Sequence, residues 1–235
     1  MKCFIGTSGF SYREWKPAFY PADLPSDRML SFYADRFPTV EVNNTFYRMP
    51  KEESLRAWSE EVPAGFVFSF KAPQIITHMK RLKNVEEPVE RFASTVSVLG
   101  SRLGPLLFGL PPNMKADVAR LGDFLSMLRT VLPKNKCAVE FRNPSWFSDE
   151  VFSLLEKARV ALCFNDADVV KCPLVATADW GYLRLRRVRY APKDMKPWAK
   201  KIAAVKKWKE AFVYFKHEES ASAPKWAAAL SKELA

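Results

Sequence analysis

The chain has 235 residues, 48% of them hydrophobic and 27% charged, which suits one α/β domain of ordinary barrel length. No apolar run approaches the ~18 residues that a membrane helix needs, and no membrane association is expected. The net charge of +11 is unevenly placed: twelve Lys and Arg lie between Gly181 and His217 against Asp194 and Glu210 only, a concentration that attracts phosphate-bearing partners, although Lys200, Lys201, Lys206, Lys207 and Lys209 read better as the solvated face of a helix.

Met1 leads directly into the apolar segment Cys3 to Ile5 without the pattern of a secretory signal, so a cytoplasmic location is expected. Along the chain, eight short β-rich apolar runs recur, centred on Phe4-Ile5, Thr39-Val42, Phe66-Phe70, Leu106-Leu110, Ala138-Phe141, Ala161-Phe164, Tyr182-Leu185 and Phe212-Phe215. Between them, helical periodicity predicts helices over Asp27 to Phe37, Glu52 to Glu61, Pro88 to Arg102, Ala116 to Leu132, Asp149 to Arg159, Asp194 to Ala211 and Ser222 to Leu234. Ser26 and Ser148 are read as N-caps. Asn165 to Asp179 offers no amphipathic helix, so irregularity is expected between the sixth and seventh strands. Regular alternation points to a TIM-type (β/α)8 barrel in a single domain over 1–235. An open doubly wound sheet is the alternative, but neither a GxGxxG nor a GxxxxGK[ST] segment follows a strand. Cys3, Cys137, Cys163 and Cys172 form no CxxC pair and are read as buried thiols.

In such a barrel, polar residues at the carboxyl ends of strands face the mouth where ligands bind. The first strand ends in Gly6-Thr7-Ser8-Gly9 and leads to Tyr12 and Trp15. The second carries Glu41 and Asn43, and the third ends in Lys71, with His78 in the loop beyond. The fifth ends in Glu140-Phe141-Arg142 before Trp146, the sixth in Asn165-Asp166, the seventh in Arg184 and Arg186, and the eighth in Lys216-His217. Glu41 and Glu140 each interrupt an apolar strand, where a carboxylate is costly to bury unless it is paired. Lys71 and Arg142 are the natural partners, either as structural ion pairs closing the barrel top or as part of a site in which one glutamate is a general acid or base. His78 is a candidate acid, base or phosphate ligand. The chain has only two histidines, which excludes a histidine-rich zinc cluster, and no cofactor motif is evident. A divalent metal held by Glu41, Glu140 and Asp166 is an alternative. Tyr12, Trp15, Phe19, Tyr20, Phe46, Tyr47, Trp146 and Phe147 crowd the same end, most to pack loops and a minority to stack on a base or sugar.

Together these motifs resemble the YecE-like family, domain of unknown function 72. The resemblance rests on Ile5 to Tyr12 with Trp15 and Phe19-Tyr20-Pro21, Val40 to Arg48 with Pro50, Phe68 to Lys71, Ile76-Thr77-His78, and Gly104 to Phe108 with Leu110-Pro111-Pro112. It continues through Glu140-Phe141-Arg142 with Ser145-Trp146-Phe147 and Tyr182 to Leu185. It implies a TIM-type barrel without an assigned activity, and its fold-level likeness to phosphodiester-cleaving and sugar-isomerising barrels points toward phosphate or sugar substrates. The chain departs from the family pattern with Gly109 where a glutamine is usual, Asn143 for a histidine, Arg186-Arg187 for His-Gly, and Lys216-His217 for paired asparagines.

The leading expectation is an enzyme acting on a phosphodiester, sugar phosphate or other anionic substrate. Glu140, Glu41 or His78 would be the catalytic acid or base. Ser8, Tyr12, Asn43, Trp146 and Asp166 would line the site, with Lys71, Arg142 and Arg184 clamping the anion. The alternatives are a non-catalytic nucleic-acid-binding protein that uses the basic stretch after Gly181, and a metal-independent glycosidase that uses the two glutamates.

Overall fold

The computed structural model describes residues 1–167, 170–218 and 220–234. Eight parallel strands close into a barrel in sequence order. They are β1 (Lys2–Ser8), β2 (Thr39–Val42), β3 (Val67–Lys71), β4 (Leu103–Gly109), β5 (Cys137–Glu140), β6 (Ala161–Asn165), β7 (Trp180–Leu185) and β8 (Glu210–Phe215). Around them run α1 (Met29–Ala34), α2 (Glu52–Glu61), α3 (Glu86–Ser97), α4 (Val118–Val131), α5 (Asp149–Ala158), α6 (Met195–Ala203) and α7 (Ser222–Leu234). All eight expected strands form, each as a near-continuous apolar run because both of its faces are covered.

Alternation along each strand sorts side chains into two cores. Val40, Phe68, Phe108, Val139, Leu183 and Val213 point outward and pack against Leu55, Val89, Leu121, Leu155 and Leu230 of the helices. Phe4, Leu107, Ala138, Cys163, Tyr182, Phe212 and Tyr214 point inward and fill the barrel. Midway up the interior the Tyr214 hydroxyl joins Thr39 Oγ1 at 2.9 Å and Ser69 Oγ at 2.5 Å, so three polar groups from three strands satisfy one another.

Helix ends follow local chemistry. Ser148 caps α5 by accepting from the Val151 N–H, and Asp149 and Glu150 occupy its first turn, where the helix dipole favours carboxylates. Ser26 does not cap α1: it opens a 3-10 turn over Ser26–Arg28, and α1 begins only at Met29. The helix expected over Asp194 to Ala211 ends at Ala203, because β8 must start at Glu210 to pair with β1 and β7. The intervening turn also places the Trp208 ring directly over Gly181, where a Cβ would meet it at 2.7 Å. Between β6 and β7 the described residues form no helix. Instead Thr177 Oγ1 accepts from the Leu162 N–H at 2.7 Å and donates to the Val160 carbonyl at 2.8 Å, pinning an extended return strap to the start of β6. Cys137 and Cys163 are buried free thiols as expected, whereas Cys3 and Cys172 are only partly covered.

Strand packing is closest at Gly6, where a Cβ would lie 2.1 Å from the Thr39 carbonyl oxygen and 2.8 Å from the Tyr33 hydroxyl. The backbone of β2 would have to move. Gly6→Ala is expected to destabilise the barrel by about 2 kcal/mol or more, measured as a lowered urea midpoint at unchanged slope.

Candidate functional site

The strand alternation that fills the barrel also decides which residues reach its upper layer. Ser8, Glu41, Lys71, Gly109, Glu140, Asn165 and Arg184 share the inward parity of their strands. The register sets Ser8 beside Glu41, Gly109 beside Glu140 and Asn165 beside Arg184. Glu41, Glu140 and Arg184 are fully buried or nearly so.

Arg184 is the hub. Its Nη1 donates to Glu140 Oε2 and its Nη2 to Glu41 Oε1, both at 2.9 Å, and Nη2 also reaches Asn43 Oδ1 at 3.2 Å. Glu41 is saturated from every side, accepting from Ser8 Oγ at 2.5 Å, Asn43 Nδ2 at 3.1 Å and the Tyr182 hydroxyl at 2.7 Å. Glu140 accepts from Asn165 Nδ2 at 2.6 Å and from Arg142 Nη2 at 3.3 Å, and Arg186 Nη1 stands 3.6 Å from its other face. Burial alone would raise both carboxyls, but Arg184 and the hydrogen bonds from Ser8 and Tyr182 hold Glu41 below the ordinary range. Arg184, Arg142, Arg186 and Lys71 push Glu140 far lower. Both glutamates are thus held toward their charged form, and Arg184 between them is held more firmly protonated than a free guanidinium.

Lys71, expected to pair with a glutamate, makes no ion pair within 4 Å among the described residues. Its Nζ lies 3.8 Å from the centre of the Phe46 ring. Burial, with Arg184 and Arg142 nearby, pulls its pKa down to about 8 against the opposing pull of Glu140 and Glu41. His78 meets the edge of the same Phe46 ring at 4.8 Å between centroids and bonds Thr77 Oγ1 through Nδ1 at 2.8 Å. Its pKa is lowered by partial burial and by the cations Lys71, Arg142 and Arg81.

Other expected site residues lie elsewhere. Trp146 is fully buried, stacked on Phe141 at 4.8 Å with its indole N–H on the Met114 carbonyl, so it packs a loop. Asp166 turns away from the mouth to accept from the Tyr190 hydroxyl at 2.5 Å and the Arg186 N–H at 2.6 Å, with Arg187 at 3.3 Å, and it anchors the loop after β7. The metal trio of Glu41, Glu140 and Asp166 therefore does not converge. Among the described residues no three His, Cys, Asp or Glu are placed to hold an ion. Tyr12 donates to the Ser8 carbonyl at 3.0 Å and, with Asn43, lines a cavity of roughly 440 Å³ on one flank of the mouth. A second cavity, of roughly 290 Å³, is bounded by Arg142, Arg186, Asn165, Phe141 and Cys172.

Tyr182 is an addition that residue type alone does not single out, and its signal is parity: it lies two residues before Arg184 on β7. Asn165, a strand-end polar group in the sequence, is paired with Arg184 across the sheet.

A family model described as "Protein of unknown function DUF72" matches residues 4–235. The chain belongs to the DUF72 family. This DUF72 barrel is 28% identical over 151 residues to the UPF0759 protein YunF of Bacillus subtilis, covering 62% of this chain and 52% of that protein. It is 32% identical over 120 residues to the UPF0759 protein YecE of Escherichia coli K12, covering 51% of this chain and 43% of that one. The aligned part thus spans about half the length of these curated relatives. A crystal structure of a DUF72 family protein from Thermotoga maritima superposes with a TM-score of 0.89 at 26% identity, over 100% of this chain and 99% of that one. No helix among the described residues is long and apolar enough to cross a membrane.

Two outcomes follow from the charge layer. Glu140→Gln leaves Arg184 and Arg142 short of a buried counter-charge and is expected to cost about 3–5 kcal/mol in chemical unfolding. Because the folded pKa of Glu140 lies below its ordinary 4.5, the wild-type advantage is fully present above about pH 4.5 and shrinks as pH falls below it. Lys71 has the opposite sense. Its folded pKa of about 8 lies below the ordinary 10.5, so the unfolded chain binds more protons between these values and its contribution to stability rises with pH across that window. Lys71→Met should raise the thermal midpoint at pH 7, with the gain fading between about pH 8 and pH 10.5 and absent above it.

Proposed function

We propose that the barrel mouth is an active site for a small phosphorylated or otherwise anionic molecule. The observation that carries this reading is the local charge balance: among the described residues, Arg184, Arg142, Arg186 and Lys71 gather about two buried carboxylates. Arg184 is consumed by the glutamates. Arg142 and Arg186 are not, since each leans on Glu140 from the rim with 29% and 22% of its side chain exposed. Their guanidinium groups border the 290 Å³ cavity and offer the planar, charge-assisted donors that suit phosphate or carboxylate oxygens.

The buried glutamates serve here as the electrostatic frame rather than as the acid and base. Their oxygens are enclosed and their protons are lost far below neutral pH, which leaves proton handling to Lys71 and His78 at the rim. The same enclosure weighs against a glycosidase, whose two carboxylates must both touch the sugar.

Titration of inorganic phosphate into the protein by calorimetry at pH 7 tests this. Binding should weaken about tenfold in Arg186→Ala and in Arg142→Ala, the loss of one charge-assisted contact, and should fall with added salt. No phosphate binding, or equal binding by both variants and the wild type, would overturn the reading. Salt-sensitive binding of a single-stranded oligonucleotide that is unchanged in both variants would favour the nucleic-acid-binding alternative instead.

A further inference from the structure

Among the described residues the amine of Lys71 stands at the mouth with no carboxylate within 4 Å, while every other charged side chain of the buried layer is paired. β4 contributes to this isolation. A Cβ on Gly109 would sit 3.0 Å from Glu140 Oε2 and 3.7 Å from Lys71 Cε, so the glycine leaves the space between the lysine stem and the carboxylate free of any side chain. That carboxylate is the one on which Arg142 and Arg186 converge. The apolar stem and the Phe46 face shield the amine on one side, and its surroundings of Arg184 and Arg142 oppose a further positive charge.

We propose that Lys71 is a covalent capture site: its neutral amine forms a Schiff base with the aldehyde or ketone carbon of an anionic substrate, such as a 2-oxo acid or an open-chain sugar phosphate, whose acid group rests on Arg142 and Arg186. This deepens the anion-binding reading and rests on it for the orientation of the substrate, though not for the reactivity of the amine. The nitrogen lone pair forms the C–N bond while the carbonyl π pair moves onto oxygen, which takes a proton. The nitrogen of the carbinolamine then loses a proton, and the hydroxyl leaves with another as water. The product is a protonated imine, with one water released, one proton taken up from solvent in the net step, and no oxidant or reductant required. Protonated, the imine places its charge where the ammonium charge stood, facing Glu140 and Glu41. Such an iminium is the electron sink that labilises bonds next to the former carbonyl, which is chemistry for carbon–carbon cleavage or proton abstraction at that carbon.

A lysine held at a pKa near 8 is neutral at pH 7 far more often than an exposed lysine at 10.5, which supplies the reactivity that the geometry needs.

The test is reductive trapping on the full chain with glyoxylate and, separately, with acetaldehyde, each in the presence of cyanoborohydride, followed by peptide mapping. Lys71 should be modified by both aldehydes at pH 7 about tenfold faster than the average exposed lysine. Its rate should rise with pH to a midpoint near 8. Glyoxylate should react faster than acetaldehyde in the wild type and lose that advantage in Arg186→Ala. Lys71 modified no faster than exposed lysines by either aldehyde would overturn covalent capture, even if phosphate still binds. Fast modification without a glyoxylate preference, alongside absent phosphate binding, would uphold the nucleophile and sink the anion reading.

Discussion

One guanidinium between two carboxylates organises this protein. Arg184 reaches Glu41 on β2 with one nitrogen and Glu140 on β5 with the other, which ties strands on opposite arcs of the barrel through its upper interior. Three charges in a layer with almost no solvent exposure are tolerable only because each is bonded to a neighbour, and Ser8, Asn43, Tyr182, Asn165 and Arg142 supply the remaining donors. A network of this kind adds little to stability against an apolar core of the same shape. It fixes position strongly, because a displaced member would leave a buried charge unpaired.

The frame sets the field for everything above it. Its own sum is negative, and the rim answers with Arg142, Arg186 and Lys71, two leaning on Glu140 and one standing apart. The two arginines present planar forks of charge-assisted donors and suit an anion. The lysine, part-buried and amid like charges, is the group whose protonation the surroundings can change near neutral pH. Division of labour between a fixed buried core and an adjustable rim is what a barrel mouth permits, because strand ends are rigid while the loops beyond them vary.

The fold was legible from the sequence to a large degree, because parallel strands covered on both faces write their burial as unbroken apolar runs, and the helices between them carry a 3.6-residue period. Where the expectation slipped, tertiary demands outweighed local preference. The lysine-rich segment after Asp194 has helical composition to Ala211, yet β8 and Trp208 claim its second half. Ser26 has the chemistry of an N-cap, but the chain enters α1 through a 3-10 turn instead. Mouth residues were recognisable as strand-end polar groups, and Glu41 and Glu140 as carboxylates in need of partners.

Which partner each glutamate takes was not legible, since a strand shows the face its residues share and not the height at which they meet residues of strands across the barrel. Sequence alone determined the alternation, the barrel and the set of charged residues at its mouth, because periodicity and composition are properties of the chain itself. Only the closed sheet decided that Arg184 would be spent on both glutamates, that Asp166 would turn outward to Tyr190, and that Lys71 would have no ion pair among the described residues. Those outcomes depend on the register between strands distant in sequence, and register is fixed by packing the whole interior at once.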